Sequence, residues 1–106
     1  MKTLRFAVAT SIFAASAWAG DVPALWKSKC SSCHGEDGKA QTKTGKKEKI
    51  SDMTNADWQA NWTDEKMKEM IVNGSKDNAK MKAFKGKLSD AEVDALIKHI
   101  REFKGP

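Results

Sequence analysis

The chain has 106 residues and a formal net charge of +5, from 19 basic and 14 acidic side chains. This length predicts one domain. The lysines are interleaved with acidic residues and Arg101 is the only arginine after Arg5, so nothing indicates a nucleic-acid-binding arm. A domain this small buries a modest core. Its two cysteines, Cys30 and Cys33, could close only a very short disulfide loop, which would stabilise it little.

The N-terminal segment has the pattern of a secretory signal peptide. It starts with the basic stretch MKTLR, continues as a mostly apolar run over residues 6–18, and ends with small residues at Ala17 and Ala19. The run is shorter than the roughly 20 residues that a membrane-spanning helix needs. We predict cleavage after Ala19, which leaves residues 20–106 as the domain and lowers the formal net charge by two, from +5 to +3. A retained N-terminal anchor is the alternative.

The domain begins with a predicted helix over residues 21–32. Asp21 is a candidate N-cap, and Pro23 lies in the first turn, where its missing N–H does no harm. Residues 35–51 are polar and rich in lysine and glycine, which predicts a loop. A short helical turn is expected around residues 56–60.

Two further helices follow. One is predicted over residues 64–73, with Thr63 as N-cap and Gly74 beyond its end. The other opens with a capping box of Ser89 and Glu92 and carries a continuous apolar face. A polar segment joins these two helices, and no stretch shows a strand pattern. The sequence therefore predicts a small all-α domain with three main helices, short turns and long loops.

The stretch CSSCH, residues 30–34, has several chemical interpretations. A zinc site would need a second pair of ligands, but His99 is the only other histidine and no further cysteine exists. A thioredoxin-like dithiol would need a βαβ context, which is not predicted. A structural disulfide would leave the histidine and the long loops unexplained. The fourth interpretation is covalent attachment of c-type haem, for which C-x-x-C-H is the motif.

Haem attachment explains the spacing of the motif. Each thiol forms a thioether with one vinyl group of the porphyrin, and residues at helical offsets 0, 3 and 4 share a face. Cys30 and Cys33 would therefore hold one edge of the ring, while His34 would lie under the iron as the proximal ligand. We expect its second ring nitrogen to donate to a backbone carbonyl of the following loop.

The chain resembles the small class I cytochromes c of bacteria over residues 21–104. LWKSKCSSCHGEDGK looks like the first helix and attachment turn of that family, and WTDEKMKEMIVNG looks like its middle helix. KMKAFKGKLSDAEVDALIKHIREFK looks like its axial-ligand loop and C-terminal helix. The resemblance implies the cytochrome c fold around one covalently attached haem c, in a protein exported to the periplasm.

The resemblance also implies that Met81, in KMKAF, is the sixth iron ligand, since the family uses a methionine there. Met67 and Met70 lie on a predicted helix stripe, where core packing is the expected role, and Met53 stays open as an alternative. Lys82 stands where the family often has proline. We predict that the loop is more flexible for lack of that proline, and that the iron–sulfur bond is more easily displaced at high pH.

Two further side chains have alternative roles. Trp58 resembles the family's tryptophan that hydrogen-bonds a haem propionate, with simple packing as the alternative. His99 lies on the flank of the last predicted helix, where we expect it to be exposed or half-exposed, and ligation through it is the less favoured alternative. We expect the haem to be wrapped by apolar side chains: Leu25, Trp26, Met67, Ile71, Phe84 and Leu96.

A six-coordinate iron leaves no position for a substrate, so these assignments favour electron transfer between redox partners, not catalysis. We expect a monomer without stable membrane insertion, steered to partners with acidic patches. A gas-binding or sensing haem protein with a labile sixth ligand is one alternative, and a haem subunit docked on a larger oxidoreductase is another. The lysines that would ring the haem edge are Lys29, Lys39, Lys80, Lys82, Lys85 and Lys87.

Overall fold

A computed structural model describes residues 21–103, and within them the chain is helical, with no strand. The predicted signal peptide and its cleavage point lie outside the described residues. The all-α prediction is confirmed. In chain order the six helices of the described part are α1 (Val22–Lys29), α2 (Ser31–His34), α3 (Lys43–Lys47), α4 (Ala56–Asn61), α5 (Asp64–Asn73) and α6 (Asp90–Arg101).

Local capping chemistry fixes the starts of the two longest helices, as the sequence predicts. Thr63 Oγ1 accepts a hydrogen bond from the N–H of Lys66 at 3.1 Å and caps α5. At the start of α6, Ser89 Oγ accepts from the N–H of Glu92 at 3.0 Å, and Glu92 Oε1 accepts from the N–H of Ser89 at 2.8 Å. A cap of this kind is worth about 1 kcal/mol.

The prediction of one helix over residues 21–32 is wrong, because the helix is interrupted at Cys30. The φ and ψ angles of this residue, −123° and −32°, depart from helical values and separate α1 from α2. Ser31 Oγ donates to the carbonyl of Lys27 at 2.6 Å, a local side-chain bond of the kind that competes with the helix. Asp21 precedes α1, but its side chain makes no capping hydrogen bond.

The prediction of a loop over residues 35–51 is also wrong in part, because α3 lies within it. Thr42 caps α3 by accepting from the N–H of Gly45 at 2.8 Å. Gly45 is buried, and a Cβ built on it would lie 2.7 Å from the carbonyl oxygen of Cys33. The glycine therefore lets α3 pack directly on the turn that carries the cysteines, even though glycine is a poor helix former.

The core forms where α6 packs against α1 and α5. Val93 and Leu96 on α6 are almost fully buried, with 2% and 1% of their surface exposed. Within residues 21–103, no helix has the length and apolarity needed to cross a membrane. The buried apolar cluster consists of Trp26, Met53, Met67, Ile71, Val93, Leu96, Ile97 and Ile100.

Arg101 ties the end of α6 to the junction of α4 and α5. Its Nε donates to Asp64 Oδ1 at 2.9 Å, and its NH1 donates to the carbonyl of Gln59 at 2.7 Å and to Gln59 Oε1 at 2.9 Å. Its NH2 donates to the carbonyl of Trp62. Because guanidinium presents several donors in a fixed plane, this one side chain satisfies acceptors on three residues.

Candidate functional site

The two cysteines and the histidine of the CSSCH stretch lie on one tight turn. Cys30 is the residue between α1 and α2, and its carbonyl accepts hydrogen bonds from the N–H groups of Cys33 at 3.3 Å and His34 at 3.0 Å. Both thiols are free and half-buried. The turn brings together the three residues that the sequence assigns to haem attachment, and we call residues 30–34 the attachment turn.

The environment of Cys30 argues against a redox dithiol. Burial, with a smaller contribution from Cys33, raises the pKa of the Cys30 thiol to about 12, against the opposing effect of the Lys29 charge. Reactive dithiols have lowered pKa values, because the thiolate is the nucleophile. In the described part of the chain, no three His, Cys, Asp or Glu side chains are grouped to hold a metal ion.

The side chain of His34 is half-buried in the attachment turn. Burial lowers its pKa, and its ring lies 5.9 Å from that of Trp26. Its Nδ1 is buried and has no hydrogen-bond partner within residues 21–103, so the loop carbonyl expected from the sequence is not found there. An unpaired buried polar atom is costly. A lowered pKa favours the neutral imidazole, which is the form that ligates metals, so this side chain fits the role of an iron ligand.

Two side chains from outside the attachment turn donate hydrogen bonds to the turn or to the residue that follows it, and sequence reasoning missed both. Trp26 Nε1 donates to the carbonyl of Gly35 at 2.9 Å in a buried position. Thr42 Oγ1 donates to the carbonyl of Cys33 at 2.7 Å. Thr42 carried one usable signal, because threonine is a preferred N-cap residue. The contact with Cys33 itself carries no such signal.

Met81 lies in the loop between α5 and α6, half-buried against the core cluster. Its carbonyl accepts from the N–H of Ser75 at 3.0 Å. Gly74 makes this approach feasible, because a Cβ built on it would lie 2.8 Å from the Met81 carbonyl oxygen. Met67 and Met53 are both buried in the core cluster, with 3% and 8% of their surface exposed.

Several of the apolar side chains expected to wrap a haem are only half-buried. Leu25 and Phe84 pack against the core cluster but are not part of it, as do Cys30 and Met81. The other four of the expected set belong to the core cluster itself: Trp26, Met67, Ile71 and Leu96. The half-buried apolar group, which includes a cysteine of the attachment turn, is the kind of surface that a flat apolar macrocycle would cover.

Trp58 and His99 lie on α4 and α6, which come later in the chain than the attachment turn. Trp58, on α4, stacks on Trp62 with ring centroids 5.7 Å apart and planes 18° apart. His99, on α6, is half-buried as expected, and its ring lies 5.5 Å from Trp26 and 5.0 Å from Phe103. These contacts give both residues a packing role.

The lysines expected near the haem edge are mostly exposed. Lys39 is half-buried and the other five are exposed. Lys80 Nζ lies 3.9 Å from Glu48 Oε2. No acidic partner within residues 21–103 forms an ion pair with the rest of this group.

The helical fold and the attachment turn define a small c-type cytochrome. Residues 19–100 match the family described as cytochrome c oxidase, cbb3-type, subunit III, and the chain belongs to this family. This confirms the resemblance to c-type cytochromes. Membership implies a covalently bound haem c with its iron, and a role in haem-based electron transfer.

Solved structures agree with this assignment. The KustC0563 c-type cytochrome is 36% identical to this chain with a TM-score of 0.72, over 80% of this chain and 99% of that one. A tyrosine-to-phenylalanine mutant of the same cytochrome is 37% identical with a TM-score of 0.69, over 79% of this chain and 99% of that one. No curated relative matches the chain significantly.

Proposed function

We propose that this chain is an exported electron-transfer protein that passes single electrons between redox partners through one c-type haem with His34 and Met81 as axial ligands. The observation that carries the proposal is the attachment turn, with its two free thiols and a half-buried imidazole whose pKa is lowered by burial. The bound haem would supply a one-electron iron couple, whose potential a methionine ligand raises.

Different residues of the chain would bind the haem covalently, ligate its iron and surround its ring. Cys30 and Cys33 would bind it covalently through their sulfur atoms, and His34 would provide the proximal nitrogen. Met81 would provide the second axial ligand from the loop after α5. The half-buried apolar side chains, with Leu25 and Phe84 among them, would exclude water from the ring. Trp58 stays a candidate for a propionate contact, beside its packing on Trp62.

Docking of a redox partner would depend on charge. The exposed lysines Lys29, Lys82, Lys85 and Lys87 have no ion-pair partners in the described residues, so their charges are available to a partner with an acidic patch. Such steering raises the association rate and weakens as ionic strength rises. We expect the rate of electron transfer to an acidic partner to fall with added salt.

A docked haem subunit is the second candidate function. The description of the family, subunit III of a cbb3-type oxidase, favours it. A permanent subunit would copurify with an oxidoreductase, whereas a carrier would purify alone as a monomer. Size-exclusion chromatography of the protein from its native membrane and periplasmic fractions separates these two cases.

The visible spectrum of the reduced, haem-loaded protein before and after carbon monoxide tests the proposed ligation. We expect a low-spin spectrum that carbon monoxide leaves unchanged in the natural protein, and rapid carbon monoxide binding in Met81→Ala. Met70→Ala is the matched control, because Met70 is also half-buried and lies on α5. Rapid binding by the natural protein would contradict the proposal and favour a gas-binding or sensing role.

A further inference from the structure

The carboxylate of Glu48 joins the segment after α3 to the loop that carries Met81. Asn78 Nδ2 donates to Glu48 Oε1 at 3.1 Å, and Lys80 Nζ lies 3.9 Å from Glu48 Oε2. The side chain of Glu48 is 20% exposed and that of Lys80 is 59% exposed. Because an exposed ion pair contributes little and a hydrogen bond to an ionised carboxylate is strong, the bond to Asn78 is the main link.

Asn78 is also the residue that shapes the loop next to Met81. Its Oδ1 accepts from the N–H of Lys80 at 2.9 Å, and its backbone carbonyl accepts from the N–H of Met81 at 3.1 Å. Its own N–H donates to Ser75 Oγ at 3.0 Å. Both ends of the Asn78 amide are therefore used, one within the loop and one on Glu48.

The other end of this connection reaches the attachment turn. Glu48 caps the C-terminus of α3, and its N–H donates to the carbonyl of Thr44 at 2.8 Å. Thr42 caps the N-terminus of α3 and donates to the carbonyl of Cys33 at 2.7 Å. A continuous series of hydrogen bonds thus runs from Cys33 through α3 to the loop of Met81. We call this series, with Thr42, Glu48 and Asn78 as its side-chain links, the α3 strap.

We propose that the α3 strap holds the Met81 loop in place relative to the attachment turn, and that Glu48 and Asn78 are positioning residues for the axial methionine. The inference rests on the proposed function, since it requires Met81 to ligate the iron. An external ligand can bind the iron only when the loop has moved away. Because the strap makes that displaced state rarer, it lowers the apparent affinity of external ligands. Loss of a hydrogen bond in the strap therefore raises that affinity.

Imidazole titration of the oxidised, haem-loaded protein measures this affinity directly, with the iron–sulfur charge-transfer band as the signal. Asn78→Asp keeps the acceptor for the Lys80 N–H and replaces the donor that faces Glu48 with a carboxylate. We expect imidazole to bind about tenfold more tightly to this variant, a change of about 1.4 kcal/mol, close to the worth of one hydrogen bond. Glu48→Ala cuts the same link and serves if Asn78→Asp does not fold.

A reversed pair tests whether the link itself is responsible. In the double variant Glu48→Gln with Asn78→Asp, the new amide at position 48 can donate to the new carboxylate at position 78. We expect imidazole affinity to return to within about twofold of the natural protein, as a coupling energy between contacting residues requires. Ala79→Asp adds the same charge at an exposed neighbouring position and should leave the affinity unchanged.

The outcomes distinguish a failure of the α3 strap proposal from a failure of the proposed Met81 ligation, on which the strap proposal rests. Loss of the charge-transfer band in Met81→Ala, together with an unchanged imidazole affinity in Asn78→Asp, would overturn the strap and leave Met81 ligation standing. An equal effect of Asn78→Asp and Ala79→Asp, or no recovery in the reversed pair, would also overturn the strap. A band that persists in Met81→Ala would overturn the ligation itself.

Discussion

Replacement of Gly74 with alanine should both destabilise the protein and disturb Met81. Gly74 follows α5 with φ of +80° and ψ of 174°, a region that is essentially restricted to glycine and costs other residues about 1–3 kcal/mol. The added Cβ would also lie 2.8 Å from the carbonyl oxygen of Met81 and 3.0 Å from the backbone nitrogen of Ala83. Both neighbours are backbone atoms, so the loop itself must shift. We expect a total loss of about 3 kcal/mol in the free energy of unfolding.

Gly86 is the matched control for this substitution. Its φ of +79° is nearly the same, but nothing lies within 4 Å of an added Cβ, so Gly86→Ala should cost only about 1 kcal/mol. Guanidinium denaturation of the two haem-loaded variants measures the losses, and the iron–sulfur charge-transfer band measures the effect on Met81. We expect the band to weaken in Gly74→Ala alone. Equal losses in the two variants, with the band unchanged in both, would refute the reasoning.

Two other side chains give predictions that denaturation can check. Thr42→Val removes both the α3 cap and the bond to the attachment turn, so it should cost about 2 kcal/mol, whereas Thr63→Val removes only the α5 cap and should cost about 1 kcal/mol. Equal costs would argue against a stabilising bond from Thr42 to the turn. Arg101→Lys keeps the charge but cannot satisfy all the acceptors at once, so it should cost about 2 kcal/mol. Lys68→Gln, which breaks an exposed ion pair, should cost no more than about 0.5 kcal/mol, and an equal loss in both variants would contradict the role of Arg101.

The parts of the fold that the sequence predicted are those set by neighbouring residues. The capping box at Ser89 and the cap at Thr63 act over three residues, so the starts of α5 and α6 were readable. The break at Cys30 is accompanied by a hydrogen bond from the Ser31 hydroxyl to the Lys27 carbonyl, and no periodicity reveals such a bond. The contacts of Arg101 span 37 to 42 residues along the chain, and nothing in the local pattern indicates which acceptors it meets.

The helix α3 was not predicted, because its local sequence resembles a loop. Its sequence, KTGKK, has a central glycine and four polar residues, and propensity alone disfavours it. Its support is partly local, because Thr42 caps it, and partly tertiary, because Thr42 donates to Cys33 and Gly45 permits the close contact with that carbonyl. Sequence reasoning identified Cys33 by its chemistry, but the residues that hold Cys33 were hidden in a stretch with loop-like composition.

Lys82 stands where the resemblance to class I cytochromes c implies a proline, and it lies in the same loop as Asn78 and Met81. Lys82 is exposed, and its backbone N–H has no hydrogen-bond acceptor within the described part of the chain, so Lys82→Pro removes no bond. Proline would stiffen the loop by restricting its displaced states, which is the restraint that we assign to Glu48 and Asn78. If the two restraints are redundant, Lys82→Pro should lower imidazole affinity more in the Asn78→Asp background than in the natural protein. An equal effect in the two backgrounds, measured by the same titration, would mean that proline at position 82 and the strap restrain the loop independently of each other.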